Sequence, residues 1–154
     1  MTKDIYRILY CSRNDIQNSL DHQLAEIRKI LVSARANNAA CGITGALLFN
    51  AGCFAQVLEG PLQQVEATFE NIQRDLRHTD VTVLEACLVP QREFPDWSMA
   101  FSGSAQGEST AFAEFTLEGA FANPSAAAAE IHGMLSTLVL QEDDFEPDTS
   151  IRLI

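Results

Sequence analysis

Apolar side chains recur along this chain with two periods, and the change from one to the other marks out its elements. Residues 6–12 alternate: Ile8, Tyr10 and Ser12 share one face, Leu9 and Cys11 the other. Apolar groups on both faces predict a central strand, with the Tyr10 hydroxyl inside and in need of a partner. Residues 20–38 switch to a helical period, with Leu24, Ile27, Leu31 and Ala34 on one stripe. That register ends on Asn38, beside Asn37. Asparagine often caps a helix C-terminus, so one of the pair can cap while the other faces a ligand. Residues 42–49 and 53–60 read as strands joined by the short turn Asn50-Ala51-Gly52. In the second of them Gln56 points the same way as Phe54 and Leu58, toward the interior. A buried amide there costs about 1–3 kcal/mol for each unmet group, so it needs partners.

Pro61 suits the first turn of a helix over 61–76, with Leu62, Val65, Phe69, Ile72 and Leu76 on its core face. Asp75, Arg77 and His78 cluster at its end, where a cation complements the helix dipole. Residues 81–90 form a further strand, 91–96 a connection, and 97–101 a short strand with Trp97 and Met99 on one side. The order β-α-β-β-α-β-β predicts an α+β, ferredoxin-like fold: one mixed five-stranded sheet with two helices on one face. Residues 1–101 then form one domain, and 102–154 a C-terminal helical extension that covers the other face. The extension opens with a Gly/Ser-rich linker and an apolar segment around Phe112, Phe115, Leu117 and Phe121, whose type the pattern leaves open. A helix follows from Asn123-Pro124-Ser125, with Ile131, Met134, Leu135 and Leu138 on its stripe, and then an acidic tail.

Composition narrows the function. The 154 residues carry a net charge of −11 with 47% hydrophobic content, which describes an acidic globular protein with no nucleic-acid surface. No apolar run is long enough to span a membrane, and the N-terminus lacks the apolar core of a signal peptide. The four cysteines form no CxxC pair, which predicts buried, reduced thiols and a cytoplasmic setting. His22, His78 and His132 lack metal-ligand spacing, and no phosphate loop, dinucleotide motif or nucleophile elbow occurs. What remains is a polar set on apolar elements: Tyr10, Asn37, Asn38 and Gln56. A flat heteroaromatic ligand between the helices and the sheet would meet all four.

Six segments in this order resemble the BLUF family, the sensors of blue light using FAD. They are Ile8-Leu9-Tyr10-Cys11-Ser12, Asn37-Asn38, Gly42-Ile43-Thr44-Gly45, the stretch from Phe54 through Gln56 to Gly60, Asp75-Leu76-Arg77-His78, and the stretch from Phe94 through Trp97 to Met99. The resemblance covers about residues 4–101 and implies a stand-alone member without an attached enzymatic domain. It implies FAD bound non-covalently, with Tyr10 as the photoactive tyrosine and Gln56 as the switching glutamine. It further implies that Asn38 bonds the pyrimidine edge, with Asn37 beside it, and that Asp75, Arg77 and His78 hold ring, ribityl chain or phosphates. Trp97 and Met99 match the strand-five residues near the glutamine. Ala36 and Asn71 depart from relatives that carry basic residues there. The protein implied is a receptor and not an enzyme, signalling through strand five and the C-terminal helix to a downstream protein, and self-associating as a homo-oligomer. The competing readings are a ligand-binding module of this fold without photochemistry, and a small α/β enzyme using Arg77, His78 or a cysteine.

Overall fold

The computed structural model describes residues 4–16, 20–50, 52–95, 100–103 and 115–141. In chain order these form β1 (Ile5–Asn14), α1 (Leu20–Cys41), β2 (Thr44–Phe49), β3 (Cys53–Gly60), α2 (Leu62–Gln73), β4 (His78–Val89), β5 (Ala100–Gly103), α3 (Leu117–Ala122) and α4 (Pro124–Gln141). Four strands pair antiparallel in the order β4-β1-β3-β2, and the four residues of β5 run parallel to β2 along its outer edge. The fold is α+β, and β1 is central, as its doubly apolar pattern requires.

The alternation along β1 and β3 divides the protein into two cores. On one face Ile8, Tyr10, Phe54 and Leu58 pack with Ile27 and Leu31 of α1 and Val65 and Phe69 of α2. On the other, Leu9, Cys11, Ala55 and Val57 pack with Leu117 of α3 and with Ala127, Ile131 and Leu135 of α4. Close approach sets part of this arrangement. A Cβ on Gly45 of β2 would lie 2.0 Å from the carbonyl oxygen of Val57, so only glycine fits there.

Several boundaries differ from the sequence pattern for local reasons. Helix α1 continues past both asparagines, and neither ends it. Gly42 takes the left-handed position (φ +70°), and the Ile43 amide donates to the Asn38 carbonyl at 2.9 Å, which closes the helix. Helix α2 stops at Gln73, leaving Leu76 92% exposed instead of on the core stripe. The Asp75 carboxylate accepts from the Arg77 amide at 2.9 Å, a side-chain bond that competes with helix continuation. His78 therefore opens β4 and does not sit at a helix terminus. Strand β4 also starts earlier than its sequence pattern, through register shifts against β1. Of the four cysteines, Cys11 and Cys53 are buried, but Cys41 and Cys87 are partly exposed. Trp97, Met99 and the acidic tail lie outside the described residues.

Candidate functional site

Between α1, α2 and the sheet lies a cavity of ≈ 290 Å³, close to the lower end of the range for small-molecule sites, roughly 300–1,000 Å³. Its floor is the sheet, with Tyr10 from β1, Leu47 from β2, and Phe54 and Gln56 from β3. Ile30, Ala34 and the asparagine pair come from α1, and Thr68, Asn71 and Ile72 from α2. Asp75, Arg77 and His78 complete the wall. Seven of the nine residues expected at the site thus share one cavity, and Gln56 and Tyr10 touch. Trp97 and Met99, the remaining two, lie outside the described residues.

The floor is built by register. Tyr10 and Gln56 are direct cross-strand partners in the β1–β3 ladder and point to the same face. The Tyr10 hydroxyl donates to Gln56 Oε1. Both side chains are buried, and Phe69 lies against the Tyr10 ring with centroids 5.3 Å apart. Burial pushes the Tyr10 phenol far above its ordinary range, with the Asp75 carboxylate adding to the effect. Tyr10 is therefore a neutral phenol, and its hydroxyl proton points toward the glutamine amide.

The helix side supplies amides and a hydroxyl. Asn38 is 1% exposed. Asn37 donates from Nδ2 to Thr68 Oγ1 on α2 at 3.1 Å and to Asn38 Oδ1 at 3.3 Å, so the pair ties the two helices together across the cavity. Thr68 escaped the sequence reading, although it falls in phase with Val65 and Ile72 on the buried stripe.

At the wall, Arg77 is the one cation lining the cavity among the described residues. Its guanidinium forks onto Asp75 at 2.9 and 2.5 Å and reaches Glu26 of α1 at 3.6 Å. The hydrogen bonds to Arg77 hold the Asp75 carboxyl below its ordinary pKa, and those to Asp75 raise that of Arg77. His78 uses both ring nitrogens. Nε2 lies 2.6 Å from the Ile72 carbonyl and Nδ1 2.7 Å from Ser12 Oγ. A carbonyl only accepts, so Nε2 carries a proton; the Ser12 hydroxyl can donate to Nδ1. His78 thus offers the cavity its ring, edge-on to Tyr10 and Phe54, and ties the end of α2 to β1.

A second polar centre stands behind the floor and was missed from sequence. The Glu59 carboxylate is 0% exposed and accepts from Thr44 Oγ1 at 3.0 Å and from the amides of Glu93 and Phe94 at 2.9 and 2.6 Å. Arg92 donates to the carbonyls of Gly42 at 2.6 Å and Glu59 at 3.1 Å. The strand bearing Gln56 is thereby clamped to the β4–β5 connection. The signal was available: Glu59 is in phase with the core residues Ala55 and Val57, where a carboxylate needs several donors.

The residues present fit a flavin. A tricyclic ring needs an apolar slot with amides at one edge, and Leu47, Phe54, Ile30 and Ala34 form the slot beside Asn37, Asn38 and Gln56. Arg77 supplies a positive charge at the wall. Among the described residues no cluster of His, Cys, Asp and Glu could hold a metal ion, and no helix is long and apolar enough to cross a membrane.

Comparisons with known proteins agree with this geometry. Residues 5–100 match the family described as sensors of blue-light using FAD. The chain is 35% identical over 75 residues to the photoactivated adenylate cyclase subunit beta of Euglena longa, a match that takes in 48% of this chain and 9% of that protein. It is 35% identical over 74 residues to the blue light- and temperature-regulated antirepressor BluF of Escherichia coli (strain K12), covering 48% of this chain and 18% of that one. The chain therefore corresponds to a small part of these relatives. Among solved structures, BlsA in its ground state superposes with a TM-score of 0.73 at 26% identity, covering 96% of this chain and 95% of that one. The dark-state structure of BlrB gives 0.69 at 27% identity, covering 89% and 98%.

Proposed function

The chain belongs to the BLUF family, and from that premise we propose that it is a blue-light receptor in which Tyr10 and Gln56 form the switch. The observation that carries this reading is the hydrogen bond from the buried Tyr10 hydroxyl to Gln56 Oε1 in the floor of the cavity. FAD, when bound, supplies the absorption of blue light and an excited state able to take an electron from a neighbouring phenol. Tyr10 would be the donor of that electron; the oxidised phenol would be strongly acidic, and its proton would pass along the existing bond to Gln56. Once the electron is restored, Tyr10 would recover a proton, and the Gln56 amide would be left rotated or tautomerised. An amide has a donor end and an acceptor end, so either change alters the hydrogen bond it presents to the cavity. The readout is a small red shift in absorption, with no net chemistry.

Asn38 and Asn37 hold the ring's polar edge, and Asp75, Arg77 and His78 hold the side away from the switch. Arg77 is already shared between two carboxylates, and Asn71 adds no charge beside it, so phosphate contacts rest on few groups. Trp97 and Met99 belong to the signalling segment that leads into β5, which we take as an integral fifth strand of a mixed, ferredoxin-like sheet. Its parallel register on β2 supports that assignment. Residues 1–101 act as the sensor and 102–154 as the extension that carries the signal through α4 to a downstream protein. Self-association as a homo-oligomer fits the exposed Val83 and Leu88 on the long edge strand β4. The free thiols among the described residues suit a reducing, cytoplasmic setting. The net charge of −11 disfavours contact with nucleic acid and anionic membranes and supports a protein partner.

The deciding measurement is an illuminated-minus-dark absorption spectrum of the purified protein. A yellow protein with a reversible red shift supports the receptor. A yellow protein without a shift supports a flavin-binding module that lacks photochemistry, and a colourless one that binds no added FAD overturns both. Deleting residues 102–154 should abolish light-dependent partner binding; if that binding persists, the output does not run through α4.

A further inference from the structure

On the sheet face away from the cavity, four charged groups from four different parts of the chain close into a ring. Arg7 of β1 donates from Nε and one terminal nitrogen to Glu85 Oε1 of β4, at 2.9 and 2.7 Å. The same oxygen lies 3.1 Å from His132 Nε2 on α4. His132 Nδ1 lies 3.4 Å from Glu93 Oε2 in the β4–β5 connection. Glu93 Oε2 returns to Arg7 at 3.6 Å. The signs alternate around the ring only when the imidazole is charged.

His132 therefore differs from a histidine that merely fills space. Both of its nitrogens face carboxylate oxygens. A neutral imidazole has one N–H and one lone pair, so one nitrogen would set its lone pair against a carboxylate. Only the imidazolium donates to both. The groups facing it are Glu85 from β4, Glu93 from the connection and Arg7 from β1, with Cys87 of β4 beside Arg7. On its own helix Glu130 is exposed. With His132 neutral, the ring of one cation and two anions is left with a net negative charge under the helix.

We propose that Arg7, Glu85, Glu93 and His132 form a proton-dependent latch that seats α4 on the sheet and makes the attachment of this helix sensitive to pH. The regulatory part of this inference rests on the reading of α4 as the output element; the latch itself does not. Its location suits control. The ring joins α4 to the connection that Glu59 clamps to the switch strand, and that leads toward residues 97–99. Hydrogen bonds to Glu93 and Glu85 raise the His132 pKa above its ordinary value of 6.5 against the opposing effect of burial. A group whose docked pKa is raised stabilises docking fully below its undocked pKa. That contribution is lost as pH rises through the docked pKa. The helix is thus held tightest in mildly acidic solution and released upward from about pH 6.5.

The test uses the full chain with FAD, in the dark. Amide hydrogen exchange of α4, corrected for the intrinsic pH dependence, should show protection falling as pH rises from 5.5 to 8.5. The fall should be up to about tenfold for each unit by which docking raises the His132 pKa. In His132→Gln, protection should be independent of pH and as low as in the alkaline wild type. Flat protection in the wild type, or an unchanged pH dependence in the variant, overturns the latch. The second readout needs no variant. The His132 ring protons followed by NMR should titrate above 6.5, and titration at or below that value also overturns it. Loss of the light-induced shift with these results intact would remove the receptor and leave the latch standing.

Discussion

The two faces of the sheet each hold a histidine between two partners, in opposite electrical settings. His78, on the cavity face, lies between a carbonyl and a hydroxyl, and a neutral ring satisfies both. His132, on the helix face, lies between two carboxylates, and only a charged ring satisfies both. The same division runs through the rest of each face. The centre of the cavity face uses a phenol, amides and a hydroxyl, whose donors and acceptors exchange without moving net charge. The α4 side uses formal charges, which respond to protons and salt. A light switch and an ionic latch can therefore stand on one sheet without sharing a titrating group.

Substitutions test that division. Gln56→Leu should give the largest effect: flavin retained and the normal red shift lost completely, read in the difference spectrum. A surviving shift would remove Gln56 from its role. Ile131→Ala, on the buried face of α4, should cost about 2–5 kcal/mol in urea unfolding. It should leave the shift in place if the two faces act independently. Ser12→Ala removes the hydroxyl that serves His78 and should cost about 1 kcal/mol, with flavin binding preserved. Lys29→Ala breaks an exposed pair with Glu26 and should leave the urea midpoint unchanged.

Much of the cavity was legible in the sequence because its parts obey short-range rules. Alternation put Tyr10 and Gln56 on inward faces, and a helical stripe carried Asn38 to the same place. The family resemblance gave those residues their roles. The ring was not legible, for a reason of distance. Arg7 meets Glu85 across 78 positions and His132 meets Glu85 across 47, contacts decided by strand order and by where α4 lands. Glu59 is a different case. It stands in phase with buried neighbours, but two of its partners are backbone amides of a loop, which leave no mark on residue type. His78 was misplaced because a cation after a helical stripe reads as the end of a helix, whereas the Asp75 side chain had already turned the chain away.

The pleat of β1 has a consequence for how this protein can change over time. Arg7, Leu9 and Cys11 look one way and Ile8, Tyr10 and Ser12 the other. Deleting or inserting a single residue upstream of Arg7 is harmless to this parity, but the same event between Arg7 and Tyr10 would bring the ion-pairing guanidinium and the buried phenol onto one face, so that one of them loses its partners. Substitution is open to this segment, while a change of length is closed to it.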